Sequence, residues 1–310
     1  MPNSSVLRLV LACAVVAGGA TRASAQSFGP DLIRDPDPAC ASNVPRSMFF
    51  AGVGAGLGLL TSGEQSVVQH APSNIFNGGV LVTTGQAGGP PVTPYLGTKA
   101  DCVPLAQLGY FRHLGDTDWL WGVKGSYIYQ DKVLTQSPLL VPQSGTSSSA
   151  TVPSFTGLAV TRSYEVFLDH QFILTPFVGR SFDNGFVYFG AGPSLSRVGT
   201  RLNDVVGTAT FPPGALVSGL VDVSGRPQSF RDSQWAWGVA ATVGATYFLT
   251  PRCFLDLSYT FSQPFPRTFH AQSPFHNEIY SPVVFEGTLI GDQTAKASMH
   301  SITLSINVGF

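Results

Sequence analysis

Apolar and polar residues alternate without interruption over the last ten positions of this 310-residue chain. In an extended strand successive side chains point to opposite faces, so a period of two places all the apolar side chains on one face of a sheet. The pattern therefore predicts a strand with one apolar face and one small polar face. The apolar face comprises Ile302, Leu304, Ile306, Val308 and Phe310, and the polar face comprises Ser301, Thr303, Ser305, Asn307 and Gly309.

The same period recurs in seven earlier segments, so the sequence predicts eight strands in all. In the first segment the apolar side chains from Phe49 to Leu59 share one face, and glycine occupies most of the other. In the sixth, the outward positions from Trp235 to Tyr247 are tryptophan, valine, alanine and tyrosine, and the inward positions are glycine, alanine and threonine. The predicted strands lie near 49–59, 103–112, 121–129, 163–174, 187–195, 235–247, 255–261 and 301–310.

The fourth predicted strand contains an irregularity. Its larger apolar positions are expected on the lipid-facing side, namely Tyr164, Val166, Leu168 and Phe172. His170 then falls on the lipid side as well. A bulge near His170 would remove this conflict, because one extra residue shifts the facing of the strand by one position.

Composition excludes helical membrane spans and several classes of partner. Charged residues make up 11% of the chain and the net charge is −1. After the N-terminal region, no segment approaches the roughly 18 consecutive apolar residues of a membrane helix. Alternating strands of the predicted length suit the tilted span of a membrane barrel. The chain has no basic run, so nucleic acid is not expected as a partner.

Connections between the predicted strands alternate strictly between short and long. Short turns join the second strand to the third, the fourth to the fifth and the sixth to the seventh. This order predicts an all-β fold: an eight-stranded antiparallel up-and-down transmembrane β-barrel with four long extracellular loops and both termini in the periplasm. Segments 79–84, 214–223 and 283–290 contain β-branched runs. They are interpreted as hairpins above the membrane; the alternative adds them to the wall, giving ten or twelve strands.

The N-terminal region has the features of a secretory signal. An apolar run at 9–20 follows Arg8, and the small residues at 23–25 suit a signal peptidase. The alternatives are a membrane anchor, for which the run is too short, and a lipoprotein site at Cys13, which has very little hydrophobic sequence before it. The predicted organisation is a signal peptide at 1–25, a periplasmic N-terminal segment at 26–46 and an outer-membrane barrel at 47–310.

All four tryptophans lie near the starts of predicted strands. Trp119 and Trp121 follow a short turn, whereas Trp235 and Trp237 follow a long loop. Indole rings prefer the level of the lipid head groups, so the two pairs are predicted to form aromatic girdles at the two membrane interfaces. The alternative is a set of core tryptophans in a soluble barrel.

Four charged residues fall on inward-facing positions, namely Lys124, Glu165, Asp169 and Asp256. Eight strands leave an interior just wide enough to be filled by side chains, and buried charges need partners. These residues are therefore predicted to form a salt-bridge network that plugs the barrel. A gated ion path along the same residues is the alternative.

Three cysteines follow the predicted signal: Cys40, Cys102 and Cys253. Disulfides persist in secreted proteins, but the predicted topology places Cys102 at the outer end of its strand, far from the other two. A disulfide requires Cα atoms within about 7 Å of each other. Any bridge is therefore predicted to join Cys40 to Cys253, and the alternative leaves all three thiols free.

No motif in the chain supplies a catalytic, cofactor-binding or metal site. Segment 192–196 fails the nucleophile-elbow pattern G-x-S-x-G at its last position. Neither H-E-x-x-H nor a closely spaced set of cysteine and histidine occurs. His70, His270 and His276 fall in predicted loops, where solvation is expected. We therefore expect no enzymatic activity, and a lipid-modifying enzyme is the least favoured alternative.

The chain resembles small outer-membrane β-barrels of the OmpA-transmembrane or opacity-protein type. The resemblance rests on the signal, on the first strand in which glycine alternates with apolar residues, on the eight strands with four long loops, and on the terminal Phe310. The resemblance implies a non-enzymatic role in envelope structure, or in surface interaction and adhesion through the loops. A passive small-solute porin is the alternative. The resemblance also implies contact with outer-membrane lipid and lipopolysaccharide, an unidentified surface ligand, and recognition of Phe310 by the barrel-assembly machinery. The loops are rich in Gly, Ser and Pro, so they are expected to be flexible.

Overall fold

The computed structural model of the chain describes residues 44–310 except 148, 150, 151 and 153, and these residues form fifteen strands. The described part contains no helix that is long and apolar enough to cross a membrane. The strands are β1 (Ser47–Ser62), β2 (Ser66–Asn77), β3 (Val80–Gly88), β4 (Thr98–His113), β5 (Trp119–Tyr129), β6 (Val133–Gln136), β7 (Leu139–Ser147), β8 (Phe155–Phe182), β9 (Gly185–Phe211), β10 (Gly219–Asp222), β11 (Gln228–Thr250), β12 (Cys253–Pro264), β13 (Arg267–Tyr280), β14 (Val283–Ala295) and β15 (Ala297–Gly309).

Eight of these strands close into an antiparallel ring in the order β1, β4, β5, β8, β9, β11, β12 and β15. The ring closes because β1 pairs with a strand on each side: Val53 lies opposite Ala106 of β4 and opposite Ile306 of β15. The predicted eight-stranded antiparallel barrel is therefore confirmed. The first ring strand begins at Ser47; the predicted signal peptide and residues 26–43 of the segment that follows it lie outside the described residues.

The two ends of the ring differ as the connection lengths predicted. Residues 114–118, 183–184 and 251–252 make the three short connections, and we call this side the short-turn end. The long connections contain β2, β3, β6, β7, β10, β13 and β14, and we call that side the hairpin end. Segments 79–84, 214–223 and 283–290 contribute to hairpin-end strands and leave the ring at eight, so the prediction of hairpins is confirmed and the ten- or twelve-stranded wall is wrong.

A belt of exposed apolar side chains surrounds the ring. In β1 the outward-facing Phe49, Val53 and Leu57 are 45 to 65% exposed, and the alternate residues, such as Phe50 and Gly54, face the interior. The apolar positions from Phe49 to Leu59 cover ten residue steps. At about 3.3 Å per residue and a tilt of about 40°, ten steps span roughly 25 Å, the height of the apolar band of a membrane barrel.

Strand β8 departs from the prediction in its first half. Tyr164, Val166 and Leu168 were expected to face lipid, but they are at most 1% exposed and lie in an apolar core at the hairpin end. The register shifts between Leu168 and Gln171, at the position where a bulge was suspected. Beyond this bulge Phe172 faces outward, as predicted, because only the second half of the 28-residue strand lies in the apolar belt.

The hairpin end has an apolar core of its own. β2, β3, β7, β13 and β14, together with extensions of β8, β9 and β11, surround buried side chains that include Tyr164, Leu202, Phe269 and Phe285. Burial raises the pKa of the Tyr164 hydroxyl above its usual range. The expectation of flexible loops is therefore wrong for the described residues, because apolar side chains distributed through the polar segments pack together and order them.

Side chains close one edge of the hairpin end. β13 pairs along its backbone with β14, and its other edge faces β11. Across this gap Ser273 Oγ donates to Gln228 Oε1 at 2.7 Å, and the Tyr280 hydroxyl donates to the Leu216 carbonyl at 2.7 Å. β13 is therefore tied to β11 and to the segment between β9 and β10 without a backbone ladder.

Candidate functional site

The interior of the ring contains a buried ion pair. Lys124 of β5 and Asp256 of β12 are 4% and 3% exposed, and Lys124 Nζ lies 3.2 Å from Asp256 Oδ2. The hydroxyl of Tyr188, on β9, accepts a hydrogen bond from Lys124 and donates one to Asp256 Oδ1 at 2.8 Å. The charged groups are thus neutralised by each other and by hydrogen bonds, as buried charges require.

Gln107 extends this network to two more strands. Its Nε2 lies 3.1 Å from Asp256 Oδ2, 2.8 Å from Ser305 Oγ and 2.8 Å from Asn307 Oδ1. β4, β5, β9, β12 and β15 are therefore linked across the interior. A network that joins five of eight strands fixes the cross-section of the barrel and fills it.

An aromatic layer lies between this network and the short-turn end. Its six phenylalanines are at most 6% exposed and pack against one another and against Tyr188: Phe50, Phe111, Phe177, Phe186, Phe248 and Phe254. Gly244 makes room for it, since a Cβ at that position would lie 2.5 Å from Tyr188 Cζ. The interior is closed at this level by apolar rings.

Further layers close the interior toward the hairpin end. Gln171 Nε2 donates to Ser196 Oγ and to Ser262 Oγ, both at 2.9 Å. A small apolar cluster lies at about the same level: Met299 is opposite Ser262, and Ile173 is two residues from Gln171 toward the short-turn end. Polar and apolar side chains therefore fill the described barrel together between the ion pair and the core of the hairpin end.

The predicted lumen network is smaller than expected, because Glu165 and Asp169 lie on the outer face of the wall. Glu165 alternates with buried apolar residues of β8 and pairs with Arg201 at 3.3 Å. Asp169 lies in the bulge and pairs with Arg197 at 3.6 Å. The assignment of these two carboxylates to the lumen is wrong, since the first half of β8 turns its apolar residues inward and its polar residues outward.

The four tryptophans are 43 to 56% exposed on the outer wall. Trp119 and Trp121 begin β5 at the short-turn end. Trp235 and Trp237 lie within β11 toward the hairpin end, seven and nine residues after its first residue, Gln228. The position of the two tryptophan pairs at the two membrane interfaces stays a prediction.

The other predicted site residues lie at the barrel ends. Phe310 is 79% exposed, and its amide donates to the Phe49 carbonyl at 3.0 Å. Cys102 and Cys253 lie at opposite ends of the ring and form no disulfide among the described residues. Cys40 lies outside the described residues, so its pairing with Cys253 stays a prediction.

Two exposed histidines have carboxylate partners on the outer face of the hairpin end. His270 Nδ1 lies 2.7 Å from Asp292 Oδ1, and His276 Nδ1 lies 2.8 Å from Glu286 Oε1. Among the described residues, no hydroxyl hydrogen-bonds to either ring. These pairs lack the nucleophile that a hydrolytic site of this kind would need.

Sequence reasoning gave Tyr188 no role, and it missed the aromatic layer. The available signal was size, because Phe50, Phe111, Phe186 and Phe254 occupy inward positions that elsewhere carry glycine, serine or threonine. Large rings on the interior face of a small barrel indicate a filled section.

No protein-family model matches this chain, and no curated protein matches it. The solved structures that are similar to parts of its fold include the following three. Neisserial surface protein A is 11% identical, with 84% of this chain and 97% of that chain covered and a TM-score of 0.30. The outer-membrane protease OmpT from Escherichia coli is 9% identical, with 85% and 97% covered and a TM-score of 0.30. The outer-membrane protein OprG from Pseudomonas aeruginosa is 12% identical, with 87% and 99% covered and a TM-score of 0.27.

Proposed function

We propose that this chain is a non-enzymatic outer-membrane barrel that is closed to solutes and acts through its hairpin end, in surface interaction or in the structure of the envelope. The observation that carries the proposal is the filled interior, in which Lys124, Asp256 and Gln107 are at most 4% exposed. A solute path would need to displace a neutralised ion pair and a layer of packed rings. The ordered hairpin end is then the part of the protein that is able to bind a partner.

The proposed orientation puts the short-turn end and both termini in the periplasm and the hairpin end outside the cell. Support comes from the difference between the two ends, because outer-membrane barrels keep short turns on the periplasmic side. In this orientation the exposed Phe310 lies at the inner interface, where the barrel-assembly machinery would recognise it. Outer-membrane lipid surrounds the apolar belt.

Closure to solutes is tested by conductance. Purified protein in planar bilayers is expected to give no single-channel steps, and Lys124→Ala is expected to give none either, because the aromatic layer still closes the interior. An open porin inserted under the same conditions is the control. Stable steps from the native protein, together with swelling of liposomes in small sugars, would instead establish the passive porin.

Orientation is tested by epitope tags in two matched turns. A tag between Gly78 and Gly79, in the turn that joins β2 and β3, is expected to bind antibody on intact cells. A tag between Asp183 and Asn184, in the turn that joins β8 and β9, is expected to bind only after the cells are permeabilised. The reverse pattern would contradict a surface role for the hairpin end.

A further inference from the structure

Two depressions meet on the membrane-facing wall of β4, β5, β8, β9 and β11. The larger, which we call the wall groove, has a volume of about 510 Å³ and is bordered by apolar side chains such as Leu108, Leu174 and Trp237. The smaller, which we call the rim cavity, has a volume of about 420 Å³ and is lined by Tyr127, His170, Phe172, Arg197 and Trp235. Tyr127 and Phe172 border both, so the two form one continuous depression.

The wall groove exists because β5 has a glycine among large lipid-facing side chains. A Cβ on Gly125 would have Leu108 Cδ1 as its nearest neighbour at 3.8 Å, an ordinary contact distance. Packing around Gly125 therefore does not require a glycine, and a side chain there would enter open space. Leu108, Leu174 and Trp237 are 67, 51 and 56% exposed around this space. The groove is apolar and open toward the bilayer, which suits an acyl chain.

The rim cavity carries the polar chemistry. Arg197 Nη1 lies 3.6 Å from Asp169 Oδ2, beyond a normal hydrogen bond, and its Nε and Nη2 lie 3.3 and 3.1 Å from Ser233 Oγ. The guanidinium is thus held in place while Asp169 neutralises it only in part. His170 Nδ1 lies 2.8 Å from the Tyr127 hydroxyl, and its Nε2 makes no hydrogen bond to a described residue. Arginine and histidine nitrogens of this kind bind phosphate oxygens.

The two depressions lie at the boundary between apolar and charged wall. Leu195 is opposite Trp237 beside the wall groove, and two residues further on Arg197 is opposite Trp235 at the rim cavity. Two residues correspond to about 7 Å along a strand. Trp235 and Tyr127 mark the head-group level, which amphipathic rings prefer. The apolar surface and the cationic surface therefore lie next to each other, as the acyl chains and the head group of a lipid do.

We propose that the wall groove and the rim cavity together bind one outer-leaflet lipid that carries a phosphate group. One acyl chain lies over Gly125, and the phosphate lies between Arg197 and His170. The proposal rests on the membrane location proposed above. In this proposal the bulge in β8 places His170 beside Arg197.

The test is native mass spectrometry of the full-length protein, titrated in detergent with diphosphorylated lipid A or with the same lipid after removal of its phosphates. Gly125→Leu is expected to lower the affinity for both forms about tenfold, because it fills the groove. Arg197→Gln is expected to lower the affinity for the phosphorylated form about tenfold and leave the other form unchanged. Inorganic phosphate alone is expected not to bind detectably.

Ala55→Leu, on the lipid-facing side of β1, is the matched control and is expected to change neither affinity. Equal binding by all variants, equal loss in the control, or a groove-dependent dimer in place of bound lipid would overturn the proposal. Each variant is compared only if it shows heat-modifiable migration, and Gly125→Val replaces a misfolded leucine variant. A native protein without heat-modifiable migration would refute the membrane barrel itself, whereas a folded barrel without phosphate selectivity would refute only the lipid site.

Discussion

Replacing Lys124 with methionine is expected to destabilise the barrel by about 3–5 kcal/mol, because it leaves the Asp256 carboxylate buried without its cation. The remaining donors, Tyr188 and Gln107, supply hydrogen bonds but no compensating charge. The free energy of unfolding is measured by urea titration in lipid vesicles, with tryptophan fluorescence as the signal. The double variant Lys124→Met/Asp256→Asn is expected to recover most of the loss, since the buried charge is then gone.

Arg46→Met is the matched control for this experiment. Arg46 pairs with Asp116 at the short-turn end, and their side chains are 76% and 88% exposed. Removing an exposed ion pair is expected to cost less than about 1 kcal/mol. Equal losses for Lys124→Met and Arg46→Met would mean that the interior network is hydrated and that the barrel is not closed at this level.

Phe285→Ala is expected to destabilise the hairpin end by about 3–5 kcal/mol while the ring stays folded. Phe285 is 3% exposed in the hairpin-end core, and its ring lies 6.1 Å from that of Phe211. The loss should appear as faster hydrogen exchange in β2, β13 and β14, with unchanged exchange in β1 and β15. Heat-modifiable migration should persist, because the ring pairs β1 directly with β4 and β15.

Leu220→Ala is the matched control for the hairpin end. Leu220 is 72% exposed on β10, so its truncation removes little buried area and is expected to leave exchange unchanged. If Phe285→Ala also accelerated exchange in the ring strands, the hairpin end and the ring would be a single cooperative unit. If neither variant changed exchange, the apolar core would not hold the hairpins.

The ring was predictable from the sequence because two independent signals agreed. Alternation located the strands, and the order of short and long connections set their direction. Alternation alone has a specific weakness, shown by β8: Val166 and Leu168 have the period of a lipid-facing strand, yet they face a protein core. A period of two separates the two faces of a strand but does not show which face contacts lipid. The bulge that exchanges the two faces has no unique sequence signal.

The interior was predictable in part. Lys124 and Asp256 stood out because charges are costly on a lipid-facing side, so their inward position followed from the pattern. Their contact with Tyr188 did not, because it joins β5, β9 and β12 across the barrel and depends on the final register. The order of the hairpin end was underestimated for a related reason. Its apolar core forms from strands that are distant in sequence, whereas composition indicates only local tendencies.

Two strands continue from the apolar belt into the hairpin end without a break. β8 and β9 are 28 and 27 residues long and pair from Phe182 opposite Gly185 to Thr156 opposite Thr210, with the bulge between Leu168 and Gln171 in this ladder. A 28-residue strand has a contour of about 90 Å. If a surface partner pulled on the hairpin end, the load would run along this ladder and shear many hydrogen bonds at once. The protein would then hold an attachment mechanically, through its own wall, without a flexible tether.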